Sequence, residues 1–184
     1  FLPSSRSVAF LKSAWQAVGG YPEWLDYCED LIFDFKLRAR FGLPAFASDA
    51  IAYFRPRTSL TAFIKQYYRY ARGDGKANLW WKRHATRYAT YLIILPALLA
   101  GMMGAPSSSW QVLCAALLGF GAGIYLRRPY RRLPAVWHTL PPLGKLMALL
   151  WVPVIRIAGD VAKMAGYPVG LWWRRQHRSV IDTE

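Results

Sequence analysis

An absence of charge constrains this chain more than any motif in it. No Asp, Glu, Lys or Arg occurs from Tyr88 to Leu126. The run covers about 40 positions, twice the roughly 20 apolar residues that a bilayer-spanning helix needs. Two such helices fit, Tyr88–Ala105 and Trp110–Leu126, broken at Gly104-Ala105-Pro106-Ser107-Ser108-Ser109. Tyr88, Tyr91, Trp110 and Tyr125 fall where interfacial aromatics belong. A buried hairpin inside a soluble protein is the alternative, and the length of the run argues against it.

The formal net charge of +14 calls for an anionic partner, either nucleic acid or a lipid surface. Its placement decides between them. Lys82, Arg83 and Arg87 precede the uncharged run, and Arg127, Arg128, Arg131 and Arg132 follow it. Arg174, Arg175 and Arg178 end a second apolar region. Basic residues that flank apolar spans mark the cytoplasmic side of a membrane protein, whereas a nucleic-acid binder carries them along a face of a folded domain. The expected partner is therefore a membrane and not nucleic acid; the alternative to an enzyme is a non-catalytic membrane-surface protein whose basic clusters bind anionic lipid. Both ends of the hairpin are placed in the cytoplasm.

The second apolar region, Leu143–Gly166, holds Lys145, Arg156, Asp160 and Lys163. At 100° per residue these four share an arc of about 60°. That pattern predicts an amphipathic helix lying in the membrane interface, kinked at Pro153. The expected organisation is a domain over 1–82, a transmembrane hairpin over 83–126 and a basic cytoplasmic loop over 127–142. An interfacial helix with a basic tail completes it over 143–184.

Two cysteines, Cys28 and Cys114, and three scattered histidines provide neither a disulfide framework nor a Cys/His zinc site. Phe1 is not an initiator methionine, and residues 1–20 have no signal-peptide pattern. The chain is expected to begin inside something longer.

Within 1–82, residues 4–10 read as a strand or extended entry, and Leu11–Val18 as a short helix. Gly19 fits its left-handed C′ position, Gly20 frees the backbone for the loop, and both are candidate substrate-binding positions of an acceptor-side loop. Glu29–Phe41 is the next helix, opening on two carboxylates, with Asp34 and Arg38 spaced as an i,i+4 pair. Ala45–Phe54 is a strand candidate. Ser59 can cap a third helix, which carries Gln66 and Arg69 and leads to Gly73-Asp74-Gly75.

Glu29 and Asp30 suit either helix-start residues or an acid–base site. Gln66, Arg69 and Tyr70 suit either a solvated face or a polar site, in which Arg69 offers a bidentate fork to a diphosphate. Trp24 fits a sugar-stacking platform or a loop anchor. Arg6 fits a strand-end charge or a donor contact. Cys28, with no His nearby in sequence, reads as a small buried filler.

Five stretches together resemble the second half of bacterial-type, membrane-associated family 2 glycosyltransferases. They are Ser4-Ser5-Arg6-Ser7-Val8-Ala9-Phe10, Val18-Gly19-Gly20-Tyr21-Pro22-Glu23, Glu29-Asp30, Arg57-Thr58-Ser59-Leu60 and Gln66-Tyr67-Tyr68-Arg69-Tyr70. The resemblance covers about residues 3–80. It implies an α/β fold of the GT-A type, a mixed sheet with helices on both faces, followed by an all-α membrane region.

It also implies an inverting transfer from a nucleotide-sugar, UDP- or GDP-linked, to a lipid-linked or glycan acceptor at the bacterial inner membrane. Asp30 corresponds to the general base, with Glu29 beside it. Gln66, Arg69 and Tyr70 correspond to the family's QxxRW motif, Tyr replacing Trp. The family's divalent metal, Mg2+ or Mn2+, is held by a DxD in the donor half, and no DxD occurs here. The chain is therefore expected to be an acceptor-side fragment, inactive alone, with no metal ligands of its own.

Overall fold

A computed structural model describes residues 7–104 and 107–181. Among these residues all regular structure is helical. The α/β expectation is thereby corrected, because no described residue lies in a strand. A strand needs a neighbour to take its backbone N–H and C=O groups. Residues 45–54 join no ladder, and their side chains stay exposed, Tyr53 at 94% and Phe46 at 75%. Residues 8–10 are likewise non-helical and outside any ladder. The chain divides into two compact units, Phe1–Trp80 with Ala162–Glu184, and Trp81–Val161.

The first unit contains α1 (Lys12–Ala17), α2 (Glu29–Phe41) and α3 (Leu60–Lys76). It also takes the C-terminal part of α8 (Pro142–Gln176) and α9 (Arg178–Ile181). A Schellman motif ends α1. The Gly20 N–H bonds the Trp15 carbonyl and the Gly19 N–H the Gln16 carbonyl, with Gly19 left-handed at φ 75°. Phe33 of α2 is fully buried and packs edge-on to Phe10 at 4.8 Å and tilted on Tyr21 at 4.4 Å. Ser59 caps α3 by accepting the Ala62 N–H at 3.2 Å.

The helix α3 runs through Gly73-Asp74-Gly75 to Lys76. Its glycines serve close approach. A Cβ on Gly75 would overlap the Tyr167 carbonyl of α8. Cβ atoms on Gly166 and Gly170 would overlap the α3 carbonyls of Tyr68 and Arg72. Gly166 and Gly170 are four apart, so both lie on the α8 face that meets α3.

The second unit contains α4 (Trp81–Ala89), a π-helical turn over Thr90–Ile94, and α5 (Leu95–Gly104). These three are continuous. After them come α6 (Ser108–Tyr130), α7 (Pro134–Trp137) and the first part of α8. Pro96 has no N–H to offer the preceding turn, and just before it the Leu95 N–H reaches back five residues to the Thr90 carbonyl.

Trp81–Gly104 and Ser108–Tyr130 are long and apolar enough to cross a membrane. Both begin earlier than the uncharged run alone suggests, and the second ends later, at Tyr130. Cys114 packs against Gly101, where a Cβ would lie 2.7 Å from its sulfur. Asp160 of α8 is buried and joins these helices. It accepts from Arg87 Nε at 2.8 Å and from the Tyr125 hydroxyl at 2.7 Å.

The helix α8 continues without interruption through Pro153. Its charged arc faces protein groups. Lys145 sits over the Trp137 ring at 5.6 Å, Arg156 over Tyr125 at 4.6 Å and Lys163 over Tyr67 at 4.7 Å. Leu146, Leu150, Val154, Ile157 and Val161, spaced three or four apart, are exposed.

Candidate active site

In the first unit a cleft of about 710 Å³ opens between the start of α2, the middle of α3 and Lys163 of α8. It gathers Glu29 and Asp30 with Gln66 and Tyr70, two pairs at least 36 positions apart in the chain. Glu29 and Asp30 open α2 and are half-buried. Asp30 Oδ1 accepts the Leu31 N–H at 2.8 Å. The positive end of the helix dipole supports negative charge at this position.

A polar chain crosses the opposite wall. Arg57 Nε donates to Gln66 Oε1 at 3.2 Å, and Gln66 Nε2 donates to the Tyr70 hydroxyl at 2.6 Å. Arg69 does not line the cleft. Its Nη1 donates to the Tyr27 hydroxyl at 2.8 Å, and its guanidinium sits 5.5 Å from the Tyr27 ring centre. Tyr27 does line the cleft and meets Tyr70 edge-on at 6.0 Å. Arg69 thus reaches the site through Tyr27.

The other expected site residues are dispersed. Gly19 and Gly20 form the α1 terminus, where a Cβ on Gly20 would lie 2.6 Å from the Trp15 indole. Trp24 stacks on Trp173 of α8 at 6.0 Å and 11°. Trp173 in turn stacks on His177 at 4.4 Å and lies under Lys76. Trp24 is therefore occupied as a loop anchor in this arrangement. Arg6 lies outside the described residues.

Sequence reasoning missed the pin on the loop between α1 and α2. Asp26 accepts from Arg72 and from Lys76 Nζ, the latter at 2.8 Å. Arg72 and Lys76 are four apart on α3, and that spacing was visible, but nothing in the loop singled out Asp26. Burial and the neighbouring Arg72 push the Lys76 ammonium below its usual range. Asp74 and Lys163 were also missed as cleft residues.

Cys28 caps α2 in a left-handed conformation, φ 70°, with its sulfur 3.5 Å from both the Tyr70 carbonyl and Asp74 Oδ1. Burial, then Asp74, raises its thiol far above the ordinary range, so the neutral, unreactive form prevails.

Asp34, one turn along α2 from Asp30, is buried, and its Oδ2 has no hydrogen-bond partner. The expected ion pair with Arg38 does not form among the described residues. Burial, then the Asp30 charge, pushes the Asp34 carboxyl up to about 6.

Among the described residues no group of three His, Cys, Asp or Glu side chains is placed to hold a metal ion. What the cleft offers is a carboxylate pair facing amide, phenol and guanidinium groups. Such a wall can bind a polyhydroxylated molecule and take a proton from one of its hydroxyls.

The class defined is an all-α unit with a carboxylate-bearing cleft, accompanied in the chain by a helical hairpin of membrane-spanning length. Comparison with protein-family models, curated proteins and solved structures finds no match for this chain.

Proposed function

We propose that the chain is the acceptor-side part of a membrane-bound inverting glycosyltransferase. One observation carries the reading: Glu29-Asp30 and Gln66…Tyr70 line a single cleft although they lie on separate helices. In this reading Asp30 takes the proton from an acceptor hydroxyl. The freed oxygen forms the new bond at the anomeric carbon, and the bond to the nucleoside diphosphate breaks, with inversion. Gln66 and Tyr70 hold the acceptor, and Arg69 fixes Tyr27 behind it. The UDP- or GDP-sugar and any divalent metal are held by a donor-binding part, since this sequence has no DxD.

The hairpin helices cross the membrane with their basic ends in the cytoplasm, and α8 lies along the interface on its apolar stripe. That location favours a lipid-linked or glycan acceptor. Replacing Asp30 by Asn in the intact enzyme tests the proposal. Transfer from nucleotide-sugar to acceptor is expected to vanish, with helicity and donor binding kept. Near-normal transfer by that variant removes Asp30 from the mechanism.

A further inference from the structure

A second concavity, of about 440 Å³, lies in the other unit, within the usual size range of small-molecule sites. Its walls are Tyr130, Leu133, Pro134, Trp137, His138 and Leu149. The Tyr130 hydroxyl is committed to the Leu149 carbonyl at 2.9 Å, which leaves its ring toward the groove. Arg127, Arg128, Arg131 and Arg132 occupy the same turn of chain and are exposed. Lys145 adds a cation over the Trp137 ring.

No Asp or Glu occurs between Asp74 and Asp160, and Asp160 already holds Arg87. The unit therefore supplies no carboxylate for these arginines, and their complement has to come from outside. The groove also begins where a helix of membrane-spanning length ends, at Tyr130.

We propose that this groove holds an acyl chain of an anionic phospholipid whose phosphate is met by the Arg127–Arg132 cluster. Arginine forks suit phosphate, and the walls suit hydrocarbon. Neither feature alone calls for both halves of such a molecule. The proposal does not depend on the transferase reading.

The test uses the full chain in detergent, incubated with equal amounts of phosphatidylglycerol and phosphatidylcholine of matched chains. The lipid retained after gel filtration is measured by mass spectrometry. Phosphatidylglycerol is expected to be retained roughly tenfold over phosphatidylcholine, as a few basic contacts allow. The double variant Arg127→Gln, Arg131→Gln should erase that preference. Leu133→Trp, which fills the groove and keeps every arginine, should lower retention as far.

Equal retention of the two lipids overturns the proposal. So does retention indifferent to groove filling, which means charge alone acts. So does full displacement by inorganic phosphate, which means a phosphate site without an acyl chain. If Leu133→Trp does not fold, phosphatidylglycerol brominated in its chains answers the same question. Quenching that is equal in the wild type and Trp137→Phe overturns it, and a larger quenched fraction in the wild type supports it.

Discussion

Gly170 of α8 lies so close to the Arg72 carbonyl of α3 that a Cβ at 170 would overlap it. Two opposing effects meet at this residue. Gly→Ala inside a helix normally stabilises by about 0.5–1 kcal/mol. Overpacking against backbone costs roughly 1–3 kcal/mol. The clash is with main chain, which cannot swing aside, so Gly170→Ala is expected to destabilise the first unit. Gly121→Ala on α6, with open space around it, should not. Thermal unfolding followed by circular dichroism separates the two, and equal midpoints would refute the close crossing.

Asp34 makes stability depend on pH. Its folded-state value of about 6 exceeds the ordinary value of about 4. The folded state therefore holds the proton more tightly than the unfolded one. Stability should be greatest below about pH 4 and fall as pH rises to about 6, then level off. Asp34→Asn should flatten that slope and raise stability at pH 7 by about 1 kcal/mol. Denaturant midpoints across this window provide the check; a wild type with the opposite slope would contradict the assignment.

Asp26 pins its loop to α3. The Asp26 side chain is 42% exposed, so the pair with Arg72 is partly screened. Lys76 is 11% exposed at its side chain and would be left without this carboxylate. Asp26→Asn is expected to cost about 1–2 kcal/mol, below the full figure for a buried pair. Proteolysis at the Tyr21–Cys28 loop should quicken. No change in either quantity would show the loop to be held by Trp24 and Trp173 alone.

Arg69→Lys keeps the charge and loses the planar fork that holds the Tyr27 hydroxyl and covers its ring. Under the proposed function, turnover of the intact enzyme should drop about tenfold, equivalent to about 1.4 kcal/mol. Unchanged turnover would place Arg69 on a passive face.

Much of the helical pattern was legible. The helix opening at Glu29 and closing at Phe41, the Ser59 cap and the left-handed Gly19 follow from local chemistry, which a sequence displays directly. The strand expected over residues 45–54 did not follow, because a ladder needs a partner that local alternation cannot supply. The role of the glycines at 73 and 75 was not legible for another reason. Glycine both ends helices and admits another backbone, and only the position of α8 decides which. The Gly166–Gly170 spacing was a usable signal, read as nothing because α3 was not known to face it. In the cleft, Glu29, Asp30, Gln66 and Tyr70 were accessible from motif order. Asp26, Asp74 and Lys163 join by tertiary packing that no local pattern encodes.

The Asp160 carboxylate draws on Arg87 before the π-helical turn and on Tyr125 of α6. Removing one partner of a buried ion pair leaves an uncompensated charge, at a cost of up to about 3–5 kcal/mol. The three segments therefore have a strong reason to find one another after each has formed. A hairpin formed without α8 would leave Arg87 without its carboxylate, with only the His84 ring beside it. Assembly of this unit is thus self-auditing: the last helix to arrive completes the circuit, and a chain cut short before Asp160 would betray itself by an orphaned cation.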